Sequence, residues 1–257
     1  VDKALEEINK ELPYSSEEKI RELVDSKDYF ILTDDMELYY FTLYKQTEGK
    51  TDQYFYTASF SSADYDKDSY WNDEFEETVI TVNAESGEII SYNYYKNKAT
   101  KPSNTYDEAA AEQKAIDIAK ELAGDKFKEY GDINTYLDYY KPMNGNITNY
   151  YGSSHIFNRY VNDIEVSGDW ITVDFNSDNV LTSYYINYTE ADFVSPDKML
   201  SEDEIMDKFW QDNELDLYYL ARIHDKITKT VLVYGTDGTV YRDAFTGEPV
   251  YSYDVSE

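Results

Sequence analysis

The sequence predicts an α+β fold of repeated units, each a helix packed on an antiparallel β-sheet meander, and three observations carry that expectation. Runs with polar and apolar residues alternating at period two fill much of the chain, the pattern of half-buried strands. An eight-residue corner recurs as Val82 to Ile89, Val173 to Val180 and Arg242 to Pro249, each reading as strand end, tight turn and strand start. A helix-capping pattern precedes each corner, at Ser15 to Glu18, Thr105 to Glu108 and Ser201 to Glu204, with similar spacing in the first two copies and a shorter one in the third. The expected organisation is an N-terminal helical segment at 1–14, a first unit at 15–98, a second at 99–197 with an insertion at 125–152, and a shortened third at 198–257.

Each element has a local reason. Leu5, Ile8 and Leu12 give the first segment one apolar stripe, and Pro13 ends it. Ser15 reads as the cap of the next helix, with Ile20, Leu23 and Val24 as its buried face. From Met36 the period becomes two, through strands expected at 37–44, 53–60, 78–82 and 88–95. The stretch 96–104 reads as a linker. A longer helix follows to Ala123, with Ala115, Ile116, Ala119 and Leu122 on one side and Gly124 as its stop. The patch 125–152, with Pro142, Gly145 and several Tyr, reads as strandless. Strands are then expected at 155–161, 164–175 with a break near Gly168, and 180–188, with Asn162-Asp163 as a two-residue hairpin turn. Ile205, Phe209 and Trp210 form the face of the last helix, followed by strands at 215–223, 230–235, 239–243 and 250–253 and a tight turn at Asp237-Gly238. In the three corners the slot needing positive φ falls on Gly87, Asp178 and Gly247, residue types that tolerate it.

Composition limits the function classes. Fifty-three acidic against 23 basic residues give a formal charge of -30, a field that repels phosphate backbones and anionic headgroups, so nucleic acid is a poor partner. No run approaches the roughly 18 apolar residues of a membrane-spanning helix, so no membrane insertion is expected. There is no Cys, hence no disulfide, thiolate metal site or Cys nucleophile. The chain opens on Val1, which leaves room for an export signal already removed. The 29 Tyr and 11 Phe supply much of the apolar surface, and adjacent tyrosines on a strand should place one ring in the core and one outside.

Three segments resemble a known group. The run from Phe157 to Val166, with Arg159 ahead of an Asn162-Asp163-Ile164 turn, and then Trp170 to Asp174, is similar to a segment of the PepSY-like YcdB/YcdC repeat family of bacterial exported cell-surface proteins. Asp163 stands where that family usually has Gly. The segments 215–219, 232–234 and 243–248 resemble the closing half of the repeat. The resemblance covers about 15–253 and implies an extracellular or cell-surface location, a protein partner such as a peptidase restrained in the manner of a propeptide, and no catalytic residues to carry over. A cell-wall glycan is the alternative partner.

Motifs for chemistry are few. His155 and His224 are the only histidines, and no Gly-x-Ser-x-Gly, His-Glu-x-x-His, P-loop or dinucleotide fingerprint is present. Ser153-Ser154-His155 is contiguous, which is not the arrangement a triad calls for, so no catalytic residue and no enzyme is expected. The best metal candidate is Asp64, Asp66 and Asp68, alternating carboxylates that can converge on calcium; the EF-hand pattern fails at Ser69, where Gly is needed, and at Phe75, where Glu is needed.

Overall fold

A computed structural model describes residues 12–48, 51–62, 75–97, 101–141, 149–212, 216–224, 227–235 and 241–250, with the backbone alone at 47–48, 51, 212, 216–224, 227–235 and 250. The expected helix at 1–14 and the Asp237-Gly238 turn lie almost wholly outside those residues. The chain divides into two compact units, Val1–Asp192 and Phe193–Glu257.

The first unit runs α1 (Glu17–Asp25), β1 (Glu37–Glu48), β2 (Thr51–Ser61), β3 (Glu76–Asn83), β4 (Ile89–Lys96), α2 (Glu108–Ala123), a 3-10 turn (Gly124–Glu129), β5 (Tyr130–Tyr140), β6 (Asn149–Val161), β7 (Ile164–Asn176) and β8 (Leu181–Ile186). All eight strands belong to one antiparallel sheet, in the order β1-β2-β3-β4-β8-β7-β6-β5. This overturns the expected α+β array of helix-on-sheet units. The architecture is mainly β, and the strands assigned to two separate meanders share a sheet, because β4 pairs β8 through Ser91↔Tyr185, Tyr92↔Tyr184 and Asn93↔Ser183. In a free-standing meander that side of β4 would present unpaired backbone groups, and pairing with β8 satisfies them.

The helices start later than the capping patterns suggest. Ser16, not Ser15, caps α1, its side chain accepting from Lys19 N. Asp107, not Thr105, caps α2, accepting from Ala110 N at 3.0 Å. Ile20 and Val24 bury the face of α1, and Ala111, Ala115, Ile118, Ala119 and Ala123 that of α2. The small side chains let α2 lie close to the sheet. Gly124, at φ 55, ends it as expected. The patch read as strandless instead holds β5, whose Ile133, Thr135 and Leu137 face inward between exposed polar neighbours. A register shift beside Asp132, at φ 38, blurs its periodicity in sequence. β7 runs through Gly168 as one strand, but the expected break is present as a bulge: its pairing with β6 passes from Glu165↔Tyr160 to Trp170↔Asn158, and Gly168 sits at φ 95.

The second unit comprises α3 (Glu202–Asp212), the pair β9 (Asp216–His224) and β10 (Ile227–Gly235), and the short pair β11 (Tyr241–Arg242) and β12 (Pro249–Val250). Its capping box is reciprocal: Glu204 N donates to Ser201 Oγ and Ser201 N donates to Glu204 Oε2 at 2.9 Å.

The three corners share one hydrogen-bond design. At the first, Asn83 Oδ1 accepts from Glu85 N and Ser86 N, and Gly87 N donates back to Asn83 O. Asp243 does the same for Phe245 N and Thr246 N, with Gly247 N closing the turn. Gly87 and Gly247 both sit at φ 74. The middle corner is one residue shorter. Asn176 holds Asp178 N and Val180 N, and the positive φ falls on Asn179, at 61°, not on Asp178. Asn162 and Asp163, at φ 52 and 63, form the predicted β6–β7 turn.

Candidate functional site

Alternation along each strand gives the large sheet two faces. Toward the helices point Tyr56, Phe60, Ile80, Val82, Tyr92, Ile171, Val173 and Tyr184, all within the core that also holds the buried residues of α1 and α2. The outer face carries the intervening side chains, on the side away from α1 and α2.

That outer face alternates rings with small hydroxyl and amide groups. Tyr44 of β1 stacks on Phe55 of β2, with centroids 5.5 Å apart. Trp170 of β7 lies 6.5 Å from Tyr185 of β8. Tyr95 and Tyr136 extend the rings to β4 and β5, and these two are 55% and 60% exposed. Between the rings, Thr57 and Thr81 share a hydrogen bond, Ser59 Oγ donates to Glu77 Oε1 and Ser183 Oγ donates to Asn93 Oδ1. Burial pushes the Tyr44 phenol above its ordinary range, with Thr57 opposing and Tyr185 adding to the shift, so both rings sit in one electrostatic neighbourhood.

Two depressions border this face. A hollow of about 170 Å³ is lined by Gln46, Gln53, Phe55, Asn83, Ile90 and Tyr185, together with Glu88, Lys126 and residues 186–188 and 190. Both Glu88 oxygens accept from Lys126 Nζ, at 2.5 and 2.7 Å. A shallower cleft of about 480 Å³ lies beside Tyr136, Asp138, Ser154 and Thr182. Near it the Asp174 carboxyl is raised above its ordinary 3.8 by burial, against the opposing Ser154 hydrogen bond, and its Oδ1 has no hydrogen-bond partner among the described residues.

The face toward the helices holds two polar networks instead. Arg159, 2% exposed, bonds Asp169 Oδ2 and Thr189 O at 2.6 Å each and Glu129 Oε2 at 2.8 Å, while its guanidinium lies 3.7 Å over the Tyr188 ring. Asp169 also accepts from Thr189 N and Thr189 Oγ1. This is a buried ion pair with its remaining lone pairs satisfied, and it ties the segment after β8 to β6 and β7.

The second network is centred on His155, which is fully buried. Its Nε2 lies 2.8 Å from Ser153 Oγ and its Nδ1 3.1 Å from Thr135 Oγ1. Thr135 donates to Glu112 Oε2, since an ionised carboxylate only accepts. Thr135 then accepts from Nδ1–H, Nε2 accepts from Ser153, and Ser153 accepts from the Tyr106 hydroxyl 2.6 Å away. Burial lowers the imidazole below 6.5, with Glu112 opposing, so it is neutral at pH 7. The contiguous Ser153-Ser154-His155 thus does bring a serine to a histidine, because residues i and i+2 of a strand share a face. That periodicity was the signal available in the sequence. Ser153 is only 5% exposed and its Oγ serves two partners, so the chain of bonds fastens α2 to β5 and β6.

Asp64, Asp66 and Asp68 lie outside the described residues, as does the side chain of His224. Among the described residues no group of three or more His, Asp or Glu is placed to hold a metal ion. The expectation of one inward and one outward ring holds for Tyr184, buried, and Tyr185, exposed. It fails at Tyr39-Tyr40 and at Tyr139-Tyr140, where all four rings are exposed and register shifts interrupt the alternation. No protein-family model, curated protein or solved structure matches the chain.

Proposed function

We propose that the chain is a non-enzymatic binding module of an exported or cell-surface bacterial protein, and that it holds a neutral wall polysaccharide on the outer face of its sheet. The observation that carries this reading is the make-up of that face: rings on β1, β4, β5, β7 and β8 that keep 38% to 60% of their surface exposed, with Thr57, Asn93 and Ser183 between them. Aromatic planes stack on the C–H faces of sugars, and short polar side chains answer the hydroxyls. The charge of -30 favours a neutral polymer over an anionic one. Sedimentation with insoluble wall polysaccharide tests it: the purified chain should co-pellet, and should be released by soluble neutral glycan.

A protein partner restrained as by a propeptide is the second reading, favoured by β1. That strand lies at an edge of the sheet and keeps an unbroken register from Tyr40 to Glu48, the geometry that strand addition by an extended peptide uses. Dose-dependent inhibition of secreted peptidases, without co-pelleting, would replace the glycan reading with this one. Calcium at Asp64, Asp66 and Asp68 belongs to the same proposal, as a structural ion held by the segment that joins β2 to β3. A calorimetric titration without heat, and a melting temperature unmoved by millimolar calcium, would remove it. No helix among the described residues is long and apolar enough to cross a membrane.

A further inference from the structure

We propose that the hollow between the β1–β2 hairpin, the β3–β4 corner and β8 is a subsite for one neutral hexopyranose ring. The inference rests on the reading of the outer face as a polysaccharide site and names where the chain of sugars is gripped. Gln46 and Gln53 are register partners at this end of β1 and β2, and their side-chain amides have no hydrogen-bond partner among the described residues. Asn83 spends its Oδ1 on the corner amides, while its Nδ2 has no acceptor among the described residues. Each glutamine amide offers a donor and an acceptor side by side, the pattern that matches two neighbouring hydroxyls, which also donate and accept. Phe55 and Tyr185 supply the aromatic walls.

Size and charge narrow the ligand. At about 170 Å³ the hollow is below the roughly 300–1,000 Å³ of sites for drug-sized molecules, so it takes one ring and not several. Glu88 is already paired through both oxygens with Lys126, and Glu190 adds a further carboxylate at the rim. An incoming carboxylate or phosphate therefore meets no unspent cation among the described residues there, which selects against uronates and sugar phosphates.

Saturation-transfer NMR on the full chain tests this with methyl β-glucoside, N-acetylglucosamine and glucuronate as probes. The two neutral sugars should receive saturation and glucuronate none. Gln53→Ala and Tyr185→Ala should each weaken binding about tenfold, the loss of one or two net contacts. Gln46→Ala, at an exposed position, guards against misfolding as the cause, and melting temperatures should stay unchanged. Asp117→Ala, at an exposed position of α2 away from the outer face, should leave monosaccharide binding intact. Saturation that survives both Gln53→Ala and Tyr185→Ala, equal binding of glucuronate, or no saturation of any sugar would overturn the subsite. If wild type and Gln53→Ala co-pellet equally with polysaccharide, the subsite falls and the outer-face reading stands. If wild type does not co-pellet while the glucoside is saturated, the polysaccharide reading falls and the subsite stands.

Discussion

The two faces of the eight-stranded sheet are built from the same residue types and put them to different ends. Toward the helices, Tyr56, Tyr92 and Tyr184 are at most 1% exposed, whereas Tyr44, Tyr95, Tyr136 and Tyr185 on the outer face keep 38% to 60%. The inner phenols are recruited to structure: Tyr92 accepts from Ile31 N, and burial pushes it up to about 12. Inner polar groups are tied into closed networks, while the amides of Gln46 and Gln53 on the outer face have no hydrogen-bond partner among the described residues. A tyrosine count therefore carries no functional meaning until each ring is assigned to a face.

The largest effect should come from breaking a closed network on the inner face. Arg159→Met leaves Asp169 charged and buried, and should cost about 3–5 kcal/mol in denaturant unfolding. Adding Asp169→Asn to it should recover part of the loss. Next is the first corner, where a Cβ on Gly87 would lie 2.1 Å from Tyr14 Cζ at a φ of 74°. Gly87→Val should lower stability by about 1–3 kcal/mol, and an unmoved melting temperature would contradict the shared corner design.

Two groups on opposite faces should respond to pH with opposite signs. His155 is held below its ordinary 6.5, so the unfolded chain takes up a proton that the folded chain does not. Its contribution is therefore lost as pH falls through 6.5, with a slope of at most about 1.4 kcal/mol per pH unit. Replacement by Gln should flatten that slope. Asp174 is held above 3.8, so its penalty appears as pH rises through 3.8 toward the folded value. Asp174→Asn should stabilise the protein at pH 7, and the gain should vanish below pH 3.8. Smallest of all, Tyr136→Ser should change stability by no more than about 0.5 kcal/mol while weakening polysaccharide binding, the mark of a residue kept for contact.

Local patterns were legible in the sequence where a single residue's chemistry decides the geometry. Gly87, Gly247 and the Asn162-Asp163 turn were read correctly because positive φ narrows the residue choice. Asp178 was assigned the left-handed position that Asn179 takes, because the middle corner lacks one residue and alignment by the flanking strands hides the shift. The capping patterns at Ser15 and Thr105 misled by one and two residues, as adjacent Ser and Asp can each serve as a cap. β5 went unread because its inward set mixes Ile, Thr and Leu and one register shift falls near its start. Joining the two strand sets into one sheet was not legible at all. Nothing in the composition of β4 or β8 distinguishes an edge from a partner. The site fared likewise: the tyrosines were visible as a list, but the meeting of Gln46, Asn83 and Tyr185 depends on strands distant in sequence.

The β4–β8 pairing has a kinetic consequence. It consists of three residue pairs and joins side chains 90 positions apart, as in the Asn93–Ser183 bond, whereas the flanking β3–β4 and β7–β8 pairings close through short turns. Loop-closure entropy makes so distant and so short a contact a late event in folding. Each strand set can zip from its own turns, and the step that merges them sets the pace at which Tyr185 reaches its place beside the hollow. The hollow proposed as a sugar subsite is complete only when this least local contact has formed.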